Sequence, residues 1–74
     1  MKQTTIKVTG EWLKGSRFFK VTEITSMKTK IEMVNANDEI ISEFPLVWTR
    51  TFDESISNIQ FMVAQIKGTM EIIR

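Results

Sequence analysis

Residues 51–68 read TFDESISNIQFMVAQIKG, and this stretch decides the fold. Its apolar side chains recur at intervals of four, three, four and three residues, at Phe52, Ile56, Ile59, Val63 and Ile66. At roughly 100° per residue these positions form one stripe along a helix, whereas a strand would require strict alternation. The spacing therefore predicts an amphipathic helix that packs its apolar stripe on the rest of the chain.

Both ends of this stretch carry signals that begin or end a helix. Thr51 followed by Glu54 has the spacing of a capping box, in which each side chain accepts a hydrogen bond from the other residue's backbone amide. Asp53 and Glu54 place negative charge at the positive end of the helix dipole, and Lys67 places positive charge at the other end. Gly68 is typical of the left-handed residue just after a helix, so we expect the helix to end there.

The opposite face of the predicted helix carries no charge, although a solvated helix usually presents Lys and Glu there. It is formed by Ser57, Asn58, Gln60, Phe61, Ala64 and Gln65. Phe61 projects away from the apolar stripe, which indicates a second packing surface. A lone exposed aromatic residue is the alternative interpretation. We expect a protein interface at Ser57, Phe61 and Ala64, used by a second copy of the chain or by another protein.

The rest of the chain has the alternation of strands. Apolar and polar residues alternate over 4–13, 17–25 and 28–34, and extended segments are predicted over 39–50 and 69–74. Residues rich in Asn and Asp at 35–38 predict a turn. Pro45 cannot donate to a sheet ladder, so its segment is expected to be an edge, a bulge, or two short strands with a bend.

The first hairpin has a register that burial can select. A loop with an even number of residues places Phe19 and Val21 on the same face as Ile6 and Val8. An odd loop would instead turn Phe18 inward. Burial therefore favours the even loop.

These segments predict a two-layer α+β fold in which an antiparallel meander of four or five strands packs on one C-terminal helix, with a short closing strand. A small β-barrel plugged by the helix is the alternative. The predicted core is Ile6, Val8, Trp12, Phe19, Val21, Ile31, Met33, Ile40, Phe44, Leu46, Trp48, Ile56, Ile59, Val63 and Ile66.

The length of 74 residues predicts a single domain spanning 1–74. A chain this short buries only about 60% of its unfolded surface, so its stability is marginal. Without cysteine or histidine, neither disulfides nor the usual structural metal sites can add to it. Oligomerisation is the remaining usual source of stability for so short a chain, and we expect a homodimer or a complex with another protein.

The residue types argue against an enzyme. The absence of histidine and cysteine removes the commonest general base and the thiolate nucleophile. Carboxylates cluster locally at Asp38 and Glu39, with Glu43 nearby, and at Asp53 and Glu54. Asp38 and Glu39 are assigned to a solvated turn, and Asp53 and Glu54 to the start of the helix. We therefore predict no catalytic, cofactor-binding or metal-binding residues.

Charge is unevenly distributed, which raises nucleic-acid binding as an alternative function. Residues 1–30 carry seven basic and two acidic side chains, giving +5, whereas residues 31–74 carry three and seven, giving −4. A basic and aromatic sheet face with its adjoining turn is predicted from Lys7, Lys14, Arg17, Phe18, Lys20 and Lys30. Such a face can hold a single strand by charge and stacking. Ion pairs such as Lys20 with Glu11 would neutralise it.

The N-terminal sequence has no apolar run typical of a secretory signal, and no stretch is apolar enough to span a membrane. We therefore expect a cytoplasmic protein without membrane contact. The sequence is best interpreted as a small non-catalytic interaction module, an inhibitor, adaptor or assembly subunit. Its size is typical of accessory proteins of phages and mobile elements.

Overall fold

The computed structural model describes residues 1–11 and 13–73. Its elements in chain order are β1 (Gln3–Thr9), β2 (Ser16–Thr25), β3 (Lys28–Val34), β4 (Leu46–Trp48), α1 (Phe52–Gln65) and β5 (Thr69–Ile72). The five strands form one sheet in the order β4-β3-β2-β1-β5, and every neighbouring pair is antiparallel. Because β4 and β5 are its two edges, the sheet is open. The α+β prediction is confirmed, and the barrel alternative is wrong.

The first hairpin has the predicted register. Thr9 pairs with Ser16, so an even number of residues separates the two strands, and Ile6 lies opposite Phe19. Ile6, Val8 and Val21 are buried beneath α1, as the even loop requires. Trp12, which was predicted in the core, lies outside the described residues.

The core lies between α1 and the sheet and matches the predicted stripe and strand faces. Its buried members are Ile6, Val8, Val21, Ile31, Ile59 and Val63, with Leu13, Phe19, Trp48, Phe52, Ile56 and Met70 packed around them. Met33 and Ile66 are half-buried. The helix stripe therefore faces inward as expected.

The predicted core positions in the fourth segment are wrong. Ile40, Phe44 and Leu46 are 54%, 84% and 58% exposed. The alternation assumed one continuous pleat, but regular pairing resumes only at Leu46, directly after Pro45, and Ile40 makes an isolated bridge to Val34. Because the pleat is interrupted, parity no longer decides whether Ile40 and Phe44 face the core. Leu46 pairs with Ile31 and does face the α1 side, but it stays exposed because the helix does not cover it.

The start of α1 forms the predicted capping box. Thr51 Oγ1 accepts a hydrogen bond from the Glu54 amide, and Glu54 Oε1 accepts one from the Thr51 amide, both at 3.1 Å. Two backbone donors that the helix itself cannot satisfy are therefore paired.

At the end of α1, the residue in the left-handed conformation is Lys67 and not Gly68 as predicted. Lys67 has φ of +54°, and its amide donates to Ala64, while the Gly68 amide donates to the Val63 carbonyl at 2.9 Å. This is a Schellman motif with lysine at its left-handed position. Gly68 is needed for another reason, because a Cβ atom there would clash with the Thr9 carbonyl oxygen.

Paired substitutions separate these two roles. We expect Lys67→Gly to raise the free energy of unfolding by up to roughly 1 kcal/mol, because glycine adopts the left-handed region without the side-chain clash. We expect Gly68→Ala to lower it by about 1–3 kcal/mol, because the added methyl group forces β5 away from β1. Urea unfolding measures both, and a Gly68→Ala variant as stable as the wild type would contradict the close approach.

The capping box also predicts a pH dependence. The hydrogen bond from the Thr51 backbone amide, followed by one from the Thr51 side chain, lowers the pKa of Glu54 below its ordinary value of 4.5. The folded state therefore favours the charged carboxylate, and this stabilisation is present above pH 4.5 and lost as the pH falls through the lower folded pKa. Glu54→Gln keeps an acceptor but cannot titrate. We expect the melting-temperature advantage of the wild type over Glu54→Gln to be present at neutral pH and to vanish in acid. An advantage independent of pH would contradict this.

Candidate interaction surfaces

The predicted interface residues share one exposed side of α1. Ser57, Phe61 and Ala64 are all exposed, and the Phe61 side chain retains 64% of its accessible surface. We call these three residues the helix outer face. It lies opposite Ile59 and Val63, which are buried, as a helical period of 3.6 residues requires. Residues 55–66 contain no charged side chain, so the face is uncharged along most of the helix.

An apolar groove opens beside this face. The backbone of α1 approaches β2, β3 and β5 more closely than β4, and on the β4 side it leaves a cavity of about 260 Å³. The groove is lined by Val8, Leu13, Arg17, Phe19, Ile31, Leu46, Trp48, Ile59, Met62, Val63 and Ile66. Sequence alternation places Leu46 in a closed core and so does not predict the groove.

The groove and the helix outer face are parts of one exposed apolar region. Met62 and Leu46, which line the groove from α1 and β4, are 51% and 58% exposed, and Met62 follows Phe61 in the helix. Val47 is also 54% exposed, but it pairs with Lys30 and so lies on the other face of the sheet. Within the part of the chain that the structure describes, β4 pairs only with β3. Apolar surface therefore extends from Phe61 across the groove to a sheet edge.

The predicted basic face lies on the other side of the sheet and is largely paired with acids. Lys20 Nζ lies 3.0 Å from a carboxylate oxygen of Asp38, and its side chain is only 17% exposed. Lys30 Nζ lies 3.4 Å from Glu32. The partner of Lys20 is thus Asp38 and not Glu11.

The remaining residues of the predicted basic set are dispersed. Lys7 is half-buried and lies opposite Phe18 and Glu71 in the two neighbouring strands, and Phe18 is also half-buried. Lys14 is exposed in the β1–β2 loop. Arg17 pairs with buried Val8 and lines the groove on the α1 side. Nucleic-acid binding stays a prediction. The basic face that would carry it has less unpaired positive charge than expected, because Lys20 and Lys30 are paired with acids.

Asp38 has a structural role that its assignment to a solvated turn missed. The Asn35 side-chain oxygen accepts hydrogen bonds from the Asn37 and Glu39 amides, which shapes the predicted turn. Asp38 follows with φ of +66° and accepts a hydrogen bond from Thr5 Oγ1 at 2.9 Å while it pairs with Lys20. The turn is therefore fastened to the middle of the sheet.

Substitution of Asp38 tests this attachment. Asp38→Asn keeps an acceptor for Thr5 and tolerates positive φ but removes the ion pair with Lys20. We expect it to lower the free energy of unfolding by about 1 kcal/mol, with a smaller loss at high salt. Asp38→Ala also removes the hydrogen bond and should lower it by about 1 kcal/mol more. Denaturant titrations in low and high salt measure both effects, and two variants as stable as the wild type would contradict the attachment.

The described residues offer little for other classes of site. Among residues 1–11 and 13–73, no group of three or more His, Cys, Asp or Glu side chains could hold a metal ion. Over the same residues, no helix is both long enough and apolar enough to cross a membrane. Comparison of the chain with protein-family models, with curated proteins and with solved structures gives no match.

Proposed function

We propose that the protein is a cytoplasmic, non-catalytic interaction module, an adaptor, inhibitor or assembly subunit, which docks on a protein surface through the helix outer face. We further propose that a second copy of the chain is its first partner. The observation that carries the proposal is Phe61, an aromatic side chain 64% exposed in the middle of an uncharged helix surface. Aromatic residues of this kind are enriched at the centres of protein interfaces.

The uncharged helix outer face favours docking because it is inexpensive to dehydrate. Burial of a charged side chain requires a well-placed partner on the other surface. The hydroxyl of Ser57 and the methyl group of Ala64 impose no such requirement. Both are also small, so another helix can approach the backbone of α1 beside Phe61.

The same property favours a second copy as the partner. In a dimer with two-fold symmetry each surface meets itself, so a charged face would meet like charge. An uncharged face avoids this repulsion, and the net charge of +1 adds little. A stable dimer buries roughly 800 Å² on each subunit, about one sixth of the 5085 Å² that this chain exposes. Phe61 provides the centre of such a patch, with Ser57 and Ala64 beside it on the helix outer face.

Nucleic-acid binding is the alternative, and the ion pairs weigh against it. Each lysine that is already paired with a carboxylate neutralises less phosphate charge. Lys20 and Lys30 are paired in this way with Asp38 and Glu32.

Substitution of Phe61 tests the proposal. We expect light scattering to show dimers that form as the wild-type concentration rises, and monomers only for Phe61→Glu, because the new carboxylates would be buried against each other at the two-fold axis. Ser26→Glu adds the same charge in the exposed β2–β3 turn and should dimerise like the wild type.

Two results would contradict the proposal. One is a wild-type protein that stays monomeric at every concentration, and the other is a Phe61→Glu variant that dimerises as well as the wild type. Titration of the wild type and Lys20→Glu with single- and double-stranded nucleic acid at low salt tests the alternative. Tight, salt-sensitive binding that Lys20→Glu weakens and Phe61→Glu leaves unchanged would favour nucleic acid.

A further inference from the structure

Arg17 is the charged residue in the lining of an otherwise apolar groove. It stands in β2 opposite buried Val8, so alternation places its side chain on the α1 side of the sheet with Phe19 and Val21. We propose that this groove binds an unbranched aliphatic carboxylate, with the chain between α1 and β4 and the carboxylate on the Arg17 guanidinium. The proposal goes beyond protein docking and does not depend on it.

The surroundings of Arg17 indicate an anionic group. The side chain is half-buried, and no carboxylate of the described residues lies within 4.0 Å of it. Its recorded hydrogen bond, from one guanidinium nitrogen to the Ser16 carbonyl, is long at 3.4 Å. A guanidinium keeps its charge in proteins and offers five donors in a fork that matches a carboxylate. Hydrogen bonds between a guanidinium and a carboxylate are charge-assisted and often bidentate.

The rest of the groove indicates an aliphatic chain. Apart from Arg17, its lining side chains are aliphatic, aromatic or, in Met62, a thioether. A peptide would bring amide groups that need hydrogen-bond partners, and these side chains provide almost none. The volume of about 260 Å³ holds roughly nine groups the size of a water molecule, which is close to a medium-length acyl chain. A saturated chain with one terminal carboxylate satisfies both the volume and the single charge.

The groove is also accessible to such a ligand. Leu46 and Met62, on its two sides, keep more than half of their surface exposed. Flexible methionine side chains adapt to apolar ligands of varying shape. A carboxylate ligand can therefore enter between α1 and β4 without disturbing Ile59 or Val63 beneath.

Decanoate and decanol, used well below the concentration at which they aggregate, provide the test. They have the same chain and differ in charge, so calorimetric titration of both separates the apolar contribution from that of Arg17. We expect the wild type to bind decanoate roughly tenfold to a hundredfold more tightly than decanol, as a charge-assisted hydrogen bond implies. In a Trp12→Phe background, Trp48 is the remaining tryptophan, and its fluorescence should change on binding because it lines the groove.

Three variants assign the site. Arg17→Gln should bring the ratio of decanoate to decanol affinity close to one, whereas Lys14→Gln removes the same charge from the exposed loop and should leave the ratio unchanged. Leu46→Glu places negative charge at the groove and should weaken decanoate more than decanol. Circular dichroism confirms that each variant is folded. Phe61→Glu lies on the helix outer face and should bind decanoate like the wild type, so ligand binding and dimerisation can fail separately.

Several results would overturn the proposal. They are equal affinity of the wild type for decanoate and decanol, an affinity ratio unaffected by Arg17→Gln, and absence of binding by either ligand. A dimer that dissociates on Leu46→Glu, together with failure of decanoate to bind, would assign the groove to a second copy of the chain instead.

Discussion

The placement of β4 and β5 at opposite edges of the sheet is the constraint on which the rest of the structure depends. These strands are consecutive in the chain apart from α1, so the segment that contains the helix joins one edge of the sheet to the other. The two ends of this helical segment lie near the two ends of β1, because Phe52 and Asp53 lie close to Lys2 and Gly68 lies against Thr9. A helix of 14 residues is about 21 Å long, which is close to the length of the seven residues of β1. The capping box at Thr51 and the turn at Lys67 define this length.

The groove lies where α1 leaves the β4 side of the sheet uncovered. Just after α1, Gly68 lies against β1, too close to the Thr9 carbonyl oxygen for any other residue. The last turns of the helix have then moved away from β4, and Met62 and Leu46 border the space between them. A side chain at position 68 would press the helix and β1 apart. The glycine therefore helps to set the position of the helix that borders the groove. The helix outer face is presented on the far side of α1 by the same arrangement.

Local chemistry explains which features could be predicted from the sequence. The capping box, the apolar stripe and the register of the first hairpin depend on residues close together in the chain, and all three match the structure. The exposure of Ile40 and Phe44 depends on where strand pairing resumes after Pro45. The apolar periodicity of the sequence does not show that position. The contacts of Asp38 with Thr5 and Lys20 join residues far apart in sequence. For Arg17 a signal was present, because it shares its parity with Phe19 and Val21 and so belongs on the α1 side.

Pro45 has a consequence for how the molecule avoids uncontrolled assembly. An open sheet leaves its edge strands able to recruit further strands, and a long flat apolar edge is a template for fibrils. Here the β4 edge is three residues long, and the residue before it lacks an amide hydrogen. An incoming strand would find only a short ladder and would have to end at the proline. The apolar side chains of β4 can therefore remain exposed to solvent with less danger of edge-to-edge aggregation.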